Sequence, residues 1–145
     1  MRLIIQRVTT ASVHVDGKIF SSIGEGLLCF VGFSPLDREV DFKWAVNKML
    51  KLKVFRSSKS IEDINGEFLI VSQFTLFASI KKGNNPSWSR AAKSDIAKSM
   101  YDNFINLLVK STFLDIHSGV FGVDMDVHAV NSGPLTLLLD TQKRE

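Results

Sequence analysis

Gly26-Leu27-Leu28-Cys29-Phe30-Val31-Gly32-Phe33 is an almost unbroken apolar run, and it leads straight into Ser34-Pro35-Leu36-Asp37. A strand with one wet face alternates apolar and polar side chains, so this run reads as a strand buried on both faces. Ser34 suits a helix cap, Pro35 the first helical position and Asp37 the positive end of the helix dipole. Phe42, Ala45, Val46, Met49 and Leu50 then recur at i, i+3, i+4, i+7 and i+8, the spacing of a helical stripe facing a core. A doubly buried strand feeding such a helix points to a sheet covered by helices.

Toward the N-terminus, the β-prone runs Leu3–Val8 and Ala11–Val15 precede Asp16-Gly17 and Lys18-Ile19-Phe20. An Asp-Gly pair between such runs predicts a hairpin, because both central residues of a type I′ turn need positive φ. Toward the C-terminus, residues 56–66 read as a polar loop ending in Asn65-Gly66. Glu67–Ile80 contains a long strand, Phe68 to Val71 running on through Ser72, Gln73, Phe74, Thr75 and Leu76. A loop at 81–87 precedes a second helix over 93–110, with Ala97, Met100, Tyr101, Phe104 and Leu108 on its apolar stripe. Phe121, Val123, Met125, Val127 and Ala129 alternate with polar residues or glycine and predict a strand with one buried face. Asn131-Ser132-Gly133-Pro134 reads as a turn into a last strand, Leu135–Leu139. The order β-β-β-α-β-α-β-β is an α+β class, with mainly antiparallel pairing and two covering helices.

With 145 residues, 45% of them hydrophobic and 23% charged, the chain is sized for one domain over 1–145 with a core of its own. That balance excludes disorder as a description of the whole. Cys29 is the sole cysteine, so no disulfide forms within the chain. No apolar run approaches the ~18 residues of a membrane span. Arg2, Gln6 and Arg7 interrupt the first apolar segment before a signal peptide takes shape. The expectation is a cytoplasmic protein with no membrane association. A net charge of +3 permits nucleic acid without indicating it. The positives read as scattered, with small clusters at Lys48, Lys51, Lys53 and Arg56 and at Lys81 and Lys82, which on charge alone favours no nucleic acid.

Few residues carry recognisable chemistry. His14, His117 and His128 lack metal-ligand spacing, and no metal or cofactor is expected. His14 and His128 read as solvated strand positions, and Asp124 and Asp126 as the wet side of a sheet. In Ser72-Gln73-Phe74-Thr75, hydroxyls and an amide interrupt an apolar strand. Alternation puts Ser72 and Phe74 on one face, Gln73 and Thr75 on the other. An ordinary β-strand with a wet face explains that segment as well as a site does. Gly133-Pro134 is equally open: an ordinary trans turn, since only about 5–6% of X–Pro bonds in folded proteins are cis, or a rigid loop aiming carbonyls at a ligand.

Five segments together carry a resemblance. Gln6-Arg7-Val8, Ser72-Gln73-Phe74-Thr75-Leu76, Lys82-Gly83-x-x-Pro86-Ser87, Gly119-x-Phe121-Gly122-x-x-Met125 and Asn131-Ser132-Gly133-Pro134-Leu135-Thr136 match the D-aminoacyl-tRNA deacylase family in order and spacing. The match runs from Met1 to about Asp140. The family usually has Arg at Asn85, aspartate at Ser132 and Phe at Trp88, departures that leave the central segment and Gly133-Pro134 untouched.

The resemblance implies a barrel-like β core and a homodimer, a proofreading hydrolase that cleaves D-amino acids, and glycine, from the acceptor end of tRNA. It implies a cis Gly133-Pro134 reaching into the other subunit's site. There its carbonyls would exclude an L side chain, with Arg7 bracing the loop. It places the chemistry at Ser72, Gln73, Phe74 and Thr75, and Phe121 and Met125 with the substrate. Two mechanisms are consistent with these residues: Thr75 as nucleophile, or backbone N–H donors around Gln73 and Phe74 acting as an oxyanion hole with help from the tRNA 2′-hydroxyl. The absence of an evident base for Thr75 favours the second. The rivals are a non-catalytic tRNA-binding module and a small-ester hydrolase.

Overall fold

The structure, a computed structural model, describes residues 1–144. Strand β1 (Arg2–Val15) leads through the Asp16-Gly17 turn into β2 (Lys18–Ile23) and then β3 (Gly26–Gly32). Helix α1 (Glu39–Lys51) precedes β4 (Glu67–Ser72), helix α2 (Ser94–Ser111) precedes β5 (Ile116–Ser118), and β6 (Asp126–Asp140) ends the order. Both turn residues have positive φ, 50° at Asp16 and 74° at Gly17, as a type I′ hairpin requires.

β1 is the hub. Its first half pairs with β3 from Arg2↔Gly32 to Val8↔Gly26, its last third with β2, and nearly its whole length with β6. Residues such as Ile5 and Ala11 are therefore bonded along both edges. These pairings are antiparallel, whereas β4 lies parallel to both β3 and β5. The sheet is thus mixed, with three antiparallel pairings and two parallel ones. The reason is connectivity: α1 and α2 are crossovers, and a strand–helix–strand crossover returns the chain in the same direction.

β3 and β4 are buried on both faces, as the apolar run predicts. Leu27, Cys29, Val31, Phe68 and Ile70 join the larger core under the two helices, while Leu28, Leu69 and Val71 join a smaller one with Val8, Ala11 and Val13. Both helical stripes face the larger core, except that Met100 is only partly buried against it. Phe33, Phe42 and Phe104 meet edge to face, 5.7–6.3 Å between ring centroids. Tyr101 is buried and donates its hydroxyl to the Ile70 carbonyl at 2.9 Å.

Four boundaries differ from the sequence reading. Ser34–Asp37 is a tight turn, and α1 begins at Glu39. Asp37 is buried, accepting the Ser34 N–H at 2.7 Å and the Met1 ammonium, and so cannot sit in a first helical turn. The long strand after Glu67 stops at Ser72. Residues 121–125 form a turn around Gly122, whose φ is +74°, so the strand expected from Phe121 starts only at Asp126. Asn131–Pro134 does not separate two strands but forms a bulge within β6, and β5 has no counterpart in the sequence reading.

Replacing Phe104 by alanine is expected to lower stability by about 3–5 kcal/mol, measurable as a shift of the urea midpoint. Tyr101, the one tyrosine, is pushed up to about 12 by burial. Since this exceeds the ordinary value near 10, its contribution to stability holds below about pH 10 and is lost as pH rises toward 12. Tyrosinate absorbance should therefore develop near pH 12 in native protein and near pH 10 in denaturant.

Candidate active site

The parallel pair β3 and β4 ends in register, Val31 opposite Ser72. Gln73 extends the ladder by one bond, its N–H donating to the Val31 carbonyl at 2.8 Å. The chain then turns into a short 3₁₀ segment, Phe74–Phe77. Gly32 permits the turn: a Cβ there would stand 2.7 Å from the Gln73 carbonyl oxygen and 3.2 Å from the Leu76 Cβ. Arg2 supports the far side, donating to the Leu76 carbonyl at 2.9 Å with its guanidinium 4.8 Å from the Phe77 ring centroid.

This turn corrects the expected strand alternation of Ser72, Gln73, Phe74 and Thr75. The Gln73 side-chain amide donates to the Thr75 hydroxyl instead of facing water across a sheet. Among the described residues, no carboxylate, lysine or histidine hydrogen-bonds Thr75. The N–H groups of Phe74 and Thr75 have no acceptor among the described residues, as happens in the first turn of a helical segment.

Ser72, Gln73 and Phe74 line a cleft of about 840 Å³. Phe121 and Met125 line the same cleft, brought there by the Gly122 turn rather than by a strand face. Met125 is held in place: its sulfur accepts the Val120 N–H at 3.2 Å, and a Cβ on Gly119 would lie 2.9 Å from that sulfur. Phe121 packs on Tyr101, 5.6 Å between centroids. Apolar Val71, Phe33 and Val127 contribute to the lining, with Trp88, Lys93 and Asp124 among the residues that reading the sequence did not place here. Gly32 was missed as well, though a glycine ending an apolar strand signals a close backbone approach.

Gly133, Pro134 and Arg7 lie elsewhere. Gln6 pairs with Thr136 and Val8 with Asn131, so β6 bulges outward between them. The Gly133–Pro134 peptide at the bulge is cis, Gly133 has φ +119°, and both residues are exposed. Arg7 donates through Nε and Nη2 to the Ser132 carbonyl at 3.1 and 3.0 Å, and through Nη1 to the Val54 carbonyl at 2.6 Å. A Cβ on Gly133 would overlap that guanidinium. The bulge stands opposite Gln6–Val8 while Arg2 marks the 3₁₀ turn, a separation along β1 of roughly 15–20 Å at ~3.3 Å per residue.

The remaining polar candidates are not gathered into a centre. His14 is half-buried, hydrogen-bonds Ser12 at 3.0 Å and lies 4.2 Å from the His128 ring, so it is paired rather than freely solvated. Asp126 is exposed at the start of β6, and Asp124 is exposed at the cleft wall. Among the described residues no three His, Cys, Asp or Glu side chains are grouped to hold a metal ion.

Residues 4–140 match the family model described as D-Tyr-tRNA(Tyr) deacylase. The chain is 43% identical to a D-aminoacyl-tRNA deacylase of Dechloromonas aromatica and 44% identical to one of Flavobacterium johnsoniae, in each case over the full length of both proteins. Among solved structures, a c-Myc DNA unwinding element binding protein superposes with a TM-score of 0.91 at 39% identity, covering 97% of this chain and 98% of the other. A probable eukaryotic D-amino acid tRNA deacylase superposes at 0.81 with 19% identity over 95% and 97%, a likeness of fold. The match over the full length of the chain makes it a member of the D-aminoacyl-tRNA deacylase family.

Proposed function

We infer that this protein, a single domain over 1–145 working in the cytoplasm, hydrolyses the ester joining a D-amino acid to the terminal adenosine of tRNA. The observation that carries the mechanism is the pair of unpartnered N–H groups on Phe74 and Thr75, at the turn where Ser72, Gln73 and Phe74 enter the cleft. Water adds to the ester carbonyl, and the charge on the resulting tetrahedral oxygen is met by those two donors. The carbon–oxygen bond to the ribose then breaks, the proton passes to the leaving ribose oxygen, and free amino acid departs. The Gln73 N–H is committed to Val31, so the donors lie one residue later than Gln73 and Phe74. Loss of one such donor elsewhere costs ~2.7–4 kcal/mol of barrier, which makes a backbone site sufficient for substantial catalysis. Thr75 accepts from the Gln73 amide and has no base beside it, which supports a positioning role, with the substrate's 2′-hydroxyl orienting water.

Chirality is selected by exclusion. Gly133 and Pro134 are exposed on a braced bulge and do not line their own chain's cleft. A homodimer in which they enter the opposite cleft would set their carbonyls against the α-carbon, where an L side chain collides and a D side chain or glycine does not. Phe121 and Met125 supply the wall that holds the substrate.

The direct test charges one tRNA with D-tyrosine and, separately, with L-tyrosine and glycine. Release of the D and glycyl esters with L untouched is the expected result. Saturable tRNA binding without hydrolysis would instead favour a binding module, and cleavage of simple D-amino acid esters at equal efficiency would favour a small-ester hydrolase. Thr75→Ala is expected to change kcat on D-tyrosyl-tRNA by no more than about tenfold, or ~1.4 kcal/mol. Complete loss in a folded dimer would make Thr75 the nucleophile.

A further inference from the structure

The cleft's mouth carries a charge distribution that the whole-chain balance conceals. Eighteen basic against fifteen acidic residues give +3 overall. Lys81, Lys82, Arg90 and Lys93 all fall between residues 79 and 93, a stretch without one acidic residue. The rest of the chain holds fourteen basic residues against fifteen acidic, so the entire positive excess resides here. The positives are not evenly scattered in effect.

The fold puts this stretch at one rim. Ser79 and Ser87 exchange two backbone bonds, 2.8 and 2.9 Å, closing a hairpin with Lys81 and Lys82 at its tip. The Ala92 N–H donates to the Phe33 carbonyl at 2.9 Å, tying the other end to the strand end that lines the cleft. Lysines elsewhere are often spoken for: Lys43 with Glu39, Lys51 with Glu62, Lys53 with Asp63, Lys98 with Asp102. None of the four rim cations takes part in an ion pair among the described residues. Between them stands Trp88, 43% exposed and edge to face with the 54% exposed Phe74 at 5.3 Å. Free cations beside exposed aromatic faces are the combination that holds single-stranded nucleic acid, phosphates on the charges and bases on the rings.

We propose that this rim binds the single-stranded nucleotides just upstream of the terminal adenosine, with phosphates on Lys81, Lys82 and Arg90 and a base stacked on Trp88. The proposal rests on the cleft being the site of a tRNA ester, and it names the path by which the RNA leaves that cleft. Trp88, 43% exposed, offers a wide stacking face at this rim. Its base-stacking role and the phosphate role of the cations separate by salt dependence, because only the cations release counterions.

The test measures binding of uncharged tRNA by fluorescence anisotropy over a range of salt, alongside hydrolysis of D-tyrosine esterified to adenosine alone. The triple variant K81E/K82E/R90E should bind tRNA at least about tenfold more weakly, with the log–log salt slope shallower by roughly 2, at ~0.7 per phosphate. K81Q/K82Q/R90Q should fall between it and the parent. Hydrolysis of the adenosine ester should be unchanged in both, because these side chains stand outside the cleft lining. Trp88→Ala should weaken tRNA about tenfold with its salt slope retained. K48E/K143E, in the separate groove beside Trp44, should match the parent. Unaltered affinity and slope in the glutamate triple variant would overturn the proposal, as would equal losses in K48E/K143E or a parallel loss of adenosine-ester hydrolysis. A parent protein that cleaves neither ester would remove the deacylase reading, while the tRNA titrations would still decide the rim.

Discussion

The double-edged pairing of β1 is the constraint on which the other elements depend. A strand bonded along both edges over most of its length fixes the register of β3 on one side and β6 on the other. A slip by one residue would turn Leu3 and Ile5 out of the larger core and bring Ile4 and Gln6 into it, so burial and hydrogen bonding enforce a single register. The two candidate segments are attached to this strand at different heights. The turn after β4 lies near its Arg2 end, and the β6 bulge lies opposite Gln6–Val8. β1 therefore sets the distance between them and keeps them apart within one chain.

The cleft follows from how two parallel strands end. Parallel strands buried on both faces have no hairpin between them, so their ends open toward loops, the usual place for a binding site. Here the end is shaped by the missing side chain of Gly32, which lets the Gln73 carbonyl come close and the chain turn at once. A turn this tight leaves the N–H groups of Phe74 and Thr75 without partners among the described residues, and such donors are what the proposed oxyanion hole calls for. Gly119 performs a similar service on the opposite wall, leaving space for the Met125 sulfur. Two small residues thus do as much to build the site as the residues whose side chains line it.

Charge is distributed with equal economy. Lys43, Lys51, Lys53 and Lys98 pair with carboxylates, and isolated pairs of that kind contribute little to stability. Their effect is to leave the surface near neutral, so that the field of the chain is concentrated at the hairpin over residues 79–93. A +3 protein with its excess at one rim presents a polyanion with a direction of approach, which an even distribution of the same charge would not.

The sequence by itself determined the order of elements through α2, the doubly buried β3, both helical stripes and the Asp16-Gly17 hairpin, because these depend on local periodicity and on φ preferences of single residues. The five family segments, being fixed patterns of residues, were also legible and carried the function class. Their geometry was not. Alternation extended the strand through Thr75 because nothing local marks where β3 stops supporting it. Asp37 read as a helix-start residue because its partner, the Met1 ammonium, is 36 residues away. Phe121 and Met125 read as one face of a strand until the Gly122 turn sent them into the cleft. Only tertiary structure decided which parts of the five segments share a site: Ser72 to Phe74 with Phe121 and Met125 in one cleft, and Gly133-Pro134 braced by Arg7 at a distance. Those relations are set by strand register and close backbone contact between distant residues, which no local pattern encodes.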